Sequence, residues 1–293
     1  MKSLNNRGLL YPASAFAAIC LAVLLGAVRT APADDKPLAR VQSPPILAAA
    51  PMPVAAAVPA RQALLELAAK DPARIAEMAK EHYRRTVREY RCVFLKQERI
   101  DGDLKDPEEI RVLYRDQPHS VFMQWEKNAD EVKRALFIDR KDFVDGEGRK
   151  IAKIEPAGAI IRLFVSEVTM PIHGDRARAA SRRTIDEFGF QSTLKILEKV
   201  NTLAAKNGEL NYRFEGEGRI DGRPTLVFVR TLPQKAKTGT YPDAKMVLHI
   251  DQEWLLPTAV FSYADAAGKT LVGSYVLTKV ELNPGLTEAD FKF

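Results

Sequence analysis

Apolar and polar positions along this chain change period twice. Between residues 61 and 89 the period is helical. Leu64, Leu65 and Leu67 share one face, and Ile75, Met78, Ala79 and His82 repeat that spacing after Asp71-Pro72. Asp before Pro marks a helix start: an N-cap, then a residue whose missing N–H is not needed in a first turn. The pattern predicts helices that require a surface to pack on, because short helices are marginal alone.

From Tyr90 the period becomes two. Tyr90–Ile100 runs to the turn pair Asp101-Gly102. Ile110, Val112 and Tyr114 alternate with their neighbours, and Val121, Met123 and Trp125 alternate again beyond Pro118. A further strand is predicted over 132–140. A turn at Asp145-Gly146-Glu147-Gly148 then leads to a strand over 150–154. The middle differs: a short apolar stretch at 159–167 reads as a helix. A longer helix is predicted over 184–205, with Leu194, Leu197, Val200 and Leu203 on one side and Asn207-Gly208 at its end. Strands return over 210–216, 224–232, 245–250, 256–264 and 270–282, the last stopped by Asn283-Pro284-Gly285.

The order helix, strands, helices, strands lacks βαβ alternation, which argues against a parallel nucleotide-binding sheet. It predicts an α+β domain: one antiparallel sheet of about eight or more strands, curled by its own twist and packed over helices.

The chain begins differently. Lys2 and Arg7 precede an uncharged apolar stretch from Ala13 to Val28, and Ala31-Pro32-Ala33 offers a small-residue cleavage site. Residues 1–33 therefore read as a signal peptide. Arg29, a flanking charge, favours the alternative of a retained anchor. A lipoprotein reading of Cys20 conflicts with Ile19, where a small residue is expected. Seven of the 18 prolines fall in 31–60 among alanine runs, so 34–60 is read as a linker and 61–293 as the single domain.

Export changes the weight of the charge. The formal net charge is +6, and residues 1–33 carry three basic groups and no acidic one, so the exported chain stands at +3. That is near balance, and with a periplasmic or otherwise exported location it argues against nucleic acid. Of two cysteines, Cys20 leaves with the signal. Cys92, followed by Val93-Phe94-Leu95, reads as a buried small hydrophobe.

Candidate chemistry is sparse. His82, His119, His173 and His249 show no ligand spacing, so no metal site or cofactor is expected. His173 and Asp175 in Pro171-Ile172-His173-Gly174-Asp175 invite a general-base role. A hydrogen-bonded loop histidine is the simpler reading. No Gly-x-Ser-x-Gly, Walker or dinucleotide glycine loop occurs. Arg176, Arg178, Arg182 and Arg183 form the sharpest basic cluster. It is read either as a surface for an anionic headgroup or acidic partner, or as a solvated segment balanced by Asp175, Asp186 and Glu187. Aromatic residues recur strand after strand and serve either as core or as the wall of a cavity.

The run Tyr90–Arg99 with Ile100-Asp101-Gly102-Asp103-Leu104 contains a Lys-x-Glu-Arg-x-x-Gly-x-Leu pattern. With Arg115-Asp116-Gln117-Pro118, Val121-Phe122-Met123, Arg183-Thr184-Ile185, Gly189, Ser274-Tyr275, Val280-Glu281-Leu282-Asn283, Leu286-Thr287 and Asp290-Phe291, it resembles an uncharacterised bacterial exported family. That family is a domain of unknown function common in planctomycetes, and the resemblance covers about residues 85–293. The family is in turn similar to the LolA/LolB and MucB/RseB group of periplasmic proteins. The chain departs from it at 126–134, where Glu126, Lys127, Asp130, Glu131, Lys133 and Arg134 replace a Gly-Arg-Glu-Val type entry to a strand.

The resemblance implies a LolA-like unclosed half-barrel over helices, holding an acyl chain, with no catalytic residues. The expected function is non-enzymatic binding of a lipid, an acyl chain or a lipoprotein in the concave face. The expected lining is Phe94, Val112, Tyr114, Phe122, Trp125, Phe137, Leu248 and Phe261. The alternative is a protein-interaction or envelope-stress-sensing module that meets an envelope protein partner through the arginine cluster. Peripheral membrane contact is compatible with either.

Overall fold

The computed structural model describes residues 57–158 and 166–293. The segment read as a signal peptide, most of that read as a linker, and residues 159–165 of the expected helix lie outside the described residues.

Two helices open the domain, α1 (Ala57–Lys70) and α2 (Pro72–Thr86). The break between them is the Asp-Pro pair: the Asp71 carboxylate accepts the Arg74 N–H at 3.1 Å and Pro72 starts the next turn. Helix α2 buries Ile75, Ala79 and Tyr83, spaced by four, so one narrow stripe faces the sheet. Ile75 is fully buried, and its truncation to alanine is expected to cost about 2–5 kcal/mol.

The first strands are β1 (Glu89–Ile100), β2 (Asp103–Leu104), β3 (Glu108–Arg115), β4 (Ser120–Lys127), β5 (Val132–Ile138), β6 (Ile151–Pro156) and β7 (Val168–Pro171). A short helix α3 (Asp175–Ala180) and a 3-10 turn at Ile185–Glu187 lead into α4 (Phe190–Lys206). The second group is β8 (Asn211–Ile220), β9 (Arg223–Thr231), β10 (Lys245–Asp251), β11 (Pro257–Tyr263) and β12 (Leu271–Leu282).

Among the described residues the twelve strands form one sheet in the order β7-β6-β5-β4-β3-β1-β12-β11-β10-β9-β8, with β2 hairpinned onto β1. Every pairing is antiparallel, and the edges β7 and β8 do not meet, so the sheet stays open. Pairing of β12 with β1 joins the two strand groups at the centre.

The long helix starts later than its apolar spacing predicts, at Phe190 rather than Thr184. Gly189 interrupts it at φ 113, and a Cβ there would lie 2.6 Å from the Tyr90 hydroxyl oxygen. Only glycine tolerates both the backbone and the approach. The residues before it form the 3-10 turn, capped reciprocally by Thr184 and Glu187.

Directly opposed residues share a face of a sheet. The register aligns Trp125, Ile110, Phe94 and Leu277 in one row. A second row runs Glu108, Lys96, Tyr275, Val260, Leu248, Phe228 and Phe214. The helices cover this face. Tyr83, Val87, Phe188 and Phe190 pack on β1, β3 and β4, while Leu64, Leu65, Ile75 and Leu197 pack on β9 and β10. On the opposite face the C-terminal residues Leu286, Phe291 and Phe293 pack over Phe122, Leu136, Ile138, Phe143 and Ile151.

Candidate functional site

The covered face carries two separate apolar clusters. One gathers residues of β1, β3–β6 and β12, and the other residues of β9 and β10 beneath α1, α2 and α4. Between them runs a seam along β11 and β12. Val260 sits at the margin of one cluster and Tyr275 at the margin of the other, and the two are register partners. Both remain half-buried. Thr258 and Ser262 flank Val260 on the same face.

A cleft of about 280 Å³ opens where the seam reaches Thr258 and Leu277. Ile220, Arg223, Trp254 and Val280 complete most of its wall, with exposed Asp221 and Lys279 beside them. Arg223 is fixed by both oxygens of buried Asp251 at 2.6 and 3.0 Å and by Glu253 at 2.9 Å. Its guanidinium lies 3.5 Å from the centroid of the Trp254 ring. A smaller cleft of about 150 Å³ lies between α2 and α4 beside the Lys80–Glu198 ion pair.

The register separates the sequence-predicted lining residues. Phe94, Val112, Tyr114, Trp125, Phe137 and Leu248 fall on the helix-covered face, whereas Phe122 and Phe261 fall on the other. Phe122 lies one residue out of step with Val121 and Met123, and one step turns a strand side chain to the opposite face. On the covered face, Tyr90 stacks on Tyr114 at 4.6 Å, Phe190 lies 4.6 Å from Tyr90, and Phe188 meets Phe94 at 5.1 Å. The β1–β3 part of the face is thus packed by the chain's own aromatics. Val260, Tyr275, Thr258 and Leu277, which line the seam, were not anticipated.

A polar network closes one end of the face. The Glu98 carboxylate is 3% exposed and accepts the Tyr275 hydroxyl at 2.7 Å, the Ser181 hydroxyl at 2.8 Å and the Arg182 N–H at 3.2 Å. Lys96 reaches Glu98 at 3.6 Å and Glu108 at 2.6 Å, and the Trp125 indole donates to Glu108 at 3.0 Å. The Lys-x-Glu-Arg-x-x-Gly-x-Leu pattern thereby gains a physical reading. Lys96 and Glu98 point inward to hold the connection from β7 to α4. Arg99 donates to the carbonyls of Leu271 and Gly102, and Gly102 turns at φ 91.

The arginine cluster does not converge. Arg176 pairs with Glu131 at 3.1 Å and Arg182 donates to the Pro242 carbonyl, while α3 buries none of its residues. His173 lies 3.3 Å from Asp186 rather than pairing with Asp175. Cys92 is buried, and burial alone pushes its thiol above its ordinary range, which suits a packed hydrophobe rather than a nucleophile. Burial also lowers the His119 and His249 imidazoles. Among the described residues no group of three or more acidic, histidine or cysteine side chains is placed to hold a metal ion. Likewise, no described helix is long and apolar enough to cross a membrane.

An open antiparallel sheet with one helix-covered face and an apolar seam defines an α+β architecture without a catalytic constellation among the groups described above. The chain belongs to the family described as "Protein of unknown function (DUF1571)", whose model matches residues 87–293. No curated protein matches the sequence. Among solved structures it is similar to MucB, at 16% identity and a TM-score of 0.47, covering 76% of this chain and 63% of that one. It is also similar to the MucA/MucB complex of Pseudomonas aeruginosa, at 15% identity and a TM-score of 0.42, covering 75% and 61%. The lipoprotein LppX of Mycobacterium tuberculosis follows at 15% identity and a TM-score of 0.39, covering 74% and 98%. The chain thus spans less than two thirds of the MucB structures it matches. At such identities these likenesses carry no functional assignment to it.

Proposed function

We propose that the protein is an exported, non-catalytic binding protein that takes a lipid-like or acylated ligand on the helix-covered face of its curled sheet. The seam between the two apolar clusters supports this reading most. Val260 and Tyr275 are direct partners on the covered face, yet neither is fully buried. A half-covered apolar row at the centre of a sheet is a surface on which further apolar area gains about 0.8 kcal/mol per buried CH₂. Phe94 and Leu248 lie beside that pair, and Trp125, Val112, Tyr114 and Phe137 belong further along the first cluster.

Within the segment from α3 to Phe190, α3 buries none of its residues and is the part suited to move, whereas the Glu98 network and the buried Phe188 and Phe190 anchor the rest to the sheet. A second reading, capture of an acidic envelope protein, has support in the exposure of Arg176 and Arg178 on that same helix.

Native mass spectrometry of the full chain from a bacterial host tests the first reading. It predicts an acyl-bearing molecule bound one to one, and a protein that carries none and takes up none from added phospholipid overturns it. Charge reversal at Arg176 and Arg178 leaves lipid binding intact under the first reading and removes partner capture under the second.

A further inference from the structure

We propose that the outer surface of α2 and α4 is a docking surface for an anionic phospholipid bilayer. The proposal goes beyond the ligand reading and does not depend on it. It starts from where the charge lies. Helix α2 carries Arg74, Lys80, Arg84 and Arg85 against Glu77 and Glu81, and α4 carries Lys195, Lys199 and Lys206 against Glu198. The two helices thus contribute +4, whereas residues 61–293 as a whole stand at +3. The rest of the domain is slightly acidic.

The three helix carboxylates are already engaged. Glu77 holds Arg74 at 2.9 Å, Glu81 holds Arg85 at 3.2 Å, and Glu198 holds Lys80 at 2.6 Å across the groove between the helices. Arg84, Lys195, Lys199 and Lys206 are exposed, and none has a carboxylate partner among the described residues. Lys195 meets only the Gln191 side-chain oxygen, at 2.8 Å. At helical spacing Lys195, Lys199 and Lys206 fall within about 40° of one another and form a stripe roughly 16 Å long. Arg84 and Lys195 flank the same groove, so the cations of the two helices share one patch.

Spacing and polarity select the partner. The groove holds about 150 Å³. That is about half the lower limit of ordinary small-molecule sites, and the stripe runs on past it, so the cations do not converge on one compact anion. A protein partner requires apolar or aromatic anchors at the centre of the contact. Among the described residues no exposed large hydrophobic lies on α2 or α4. A row of separate negative headgroups needs no such anchor. Each cation near that surface adds to the attraction, which is electrostatic and therefore screened by salt.

Vesicle cosedimentation of the full chain tests this, with phosphatidylcholine alone and with about 30 mol% phosphatidylglycerol added. The parent is expected to bind the anionic vesicles at least about ten-fold more tightly than the neutral ones, and to be released as salt rises from about 0.05 to about 0.5 M. Lys195→Glu with Lys199→Glu should weaken binding to the anionic vesicles at least about ten-fold and leave the melting temperature unchanged. Lys141 lies between β5 and β6 and Lys269 between β11 and β12, both exposed and off the helices. Lys141→Glu with Lys269→Glu makes the same change in net charge and should hold binding within about two-fold of the parent. All variants keep residues 1–33, so any contribution of that segment cancels. Equal binding to both vesicle types, equal loss in the two double variants, or undiminished binding by Lys195→Glu with Lys199→Glu overturns the proposal. Soluble poly-glutamate bound as tightly as the anionic vesicles, with the same loss in that variant, overturns it in favour of an acidic protein partner.

Discussion

The carboxylate of Glu98 accepts the hydroxyl of Tyr275 at 2.7 Å on the covered face of the sheet, between two strands that are far apart in sequence and adjacent in space. The same carboxylate receives Ser181 and the Arg182 N–H from the connection that crosses the face. One side chain therefore ties the centre of the sheet to the segment that covers it. Replacing Glu98 with alanine strands three donors and leaves Lys96 with Glu108 alone. The expected loss is about 1–3 kcal/mol in urea unfolding, since buried donors left without an acceptor are expensive. Faster hydrogen exchange at residues 181–188 should accompany it. Glu98→Gln, which keeps one acceptor oxygen, should lose less.

Gly189 sets where the covering segment enters α4. Its φ of 113 disfavours any other residue, and a Cβ would meet the Tyr90 hydroxyl at 2.6 Å and the Tyr114 ring at 3.0 Å. Gly189→Ala is expected to destabilise the protein by more than about 1 kcal/mol. A melting temperature within a degree of the parent would contradict the account of why the helix starts at Phe190.

His119 sits between the rings of Tyr114 and Phe137, at 5.5 and 5.7 Å. Burial lowers its imidazole below the ordinary 6.5, although Asp186, Asp116 and Asp139 pull the other way. A histidine held neutral in the fold protonates more readily when unfolded, so its contribution is complete above the unfolded value and is lost as pH falls through it toward the folded value. Stability should decline as pH drops below about 6.5. His119→Phe should flatten that decline, as read by thermal melts across the range. An unchanged pH profile would show that His119 does not titrate with folding.

Much of the architecture is legible in the sequence because period-two alternation survives in most strands. Ile110, Val112 and Tyr114 do face inward together, and Asp71-Pro72 does divide the first two helices. The site was harder to read for a physical reason. In β11 the smaller and more polar row, Thr258, Val260 and Ser262, faces the helices, while Phe261 and Tyr263 face out. Hydrophobicity alone therefore selects the row that faces away from the helices. Glu98 presents the converse case: a charge inside an apolar strand reads as solvated until its partners, 83 and 177 residues away in sequence, are placed beside it. Strand β7, four residues ending in proline, is too short to show a period.

The face that receives the ligand is the central claim, and chemical-shift mapping on isotope-labelled protein tests it most directly. On titration with 1-octanoylglycerol below its micelle concentration, shifts are predicted at Thr258, Val260, Tyr275 and Leu277, on the covered face. Shifts confined to Val247 and Phe261 on the opposite face, or none anywhere, would contradict it.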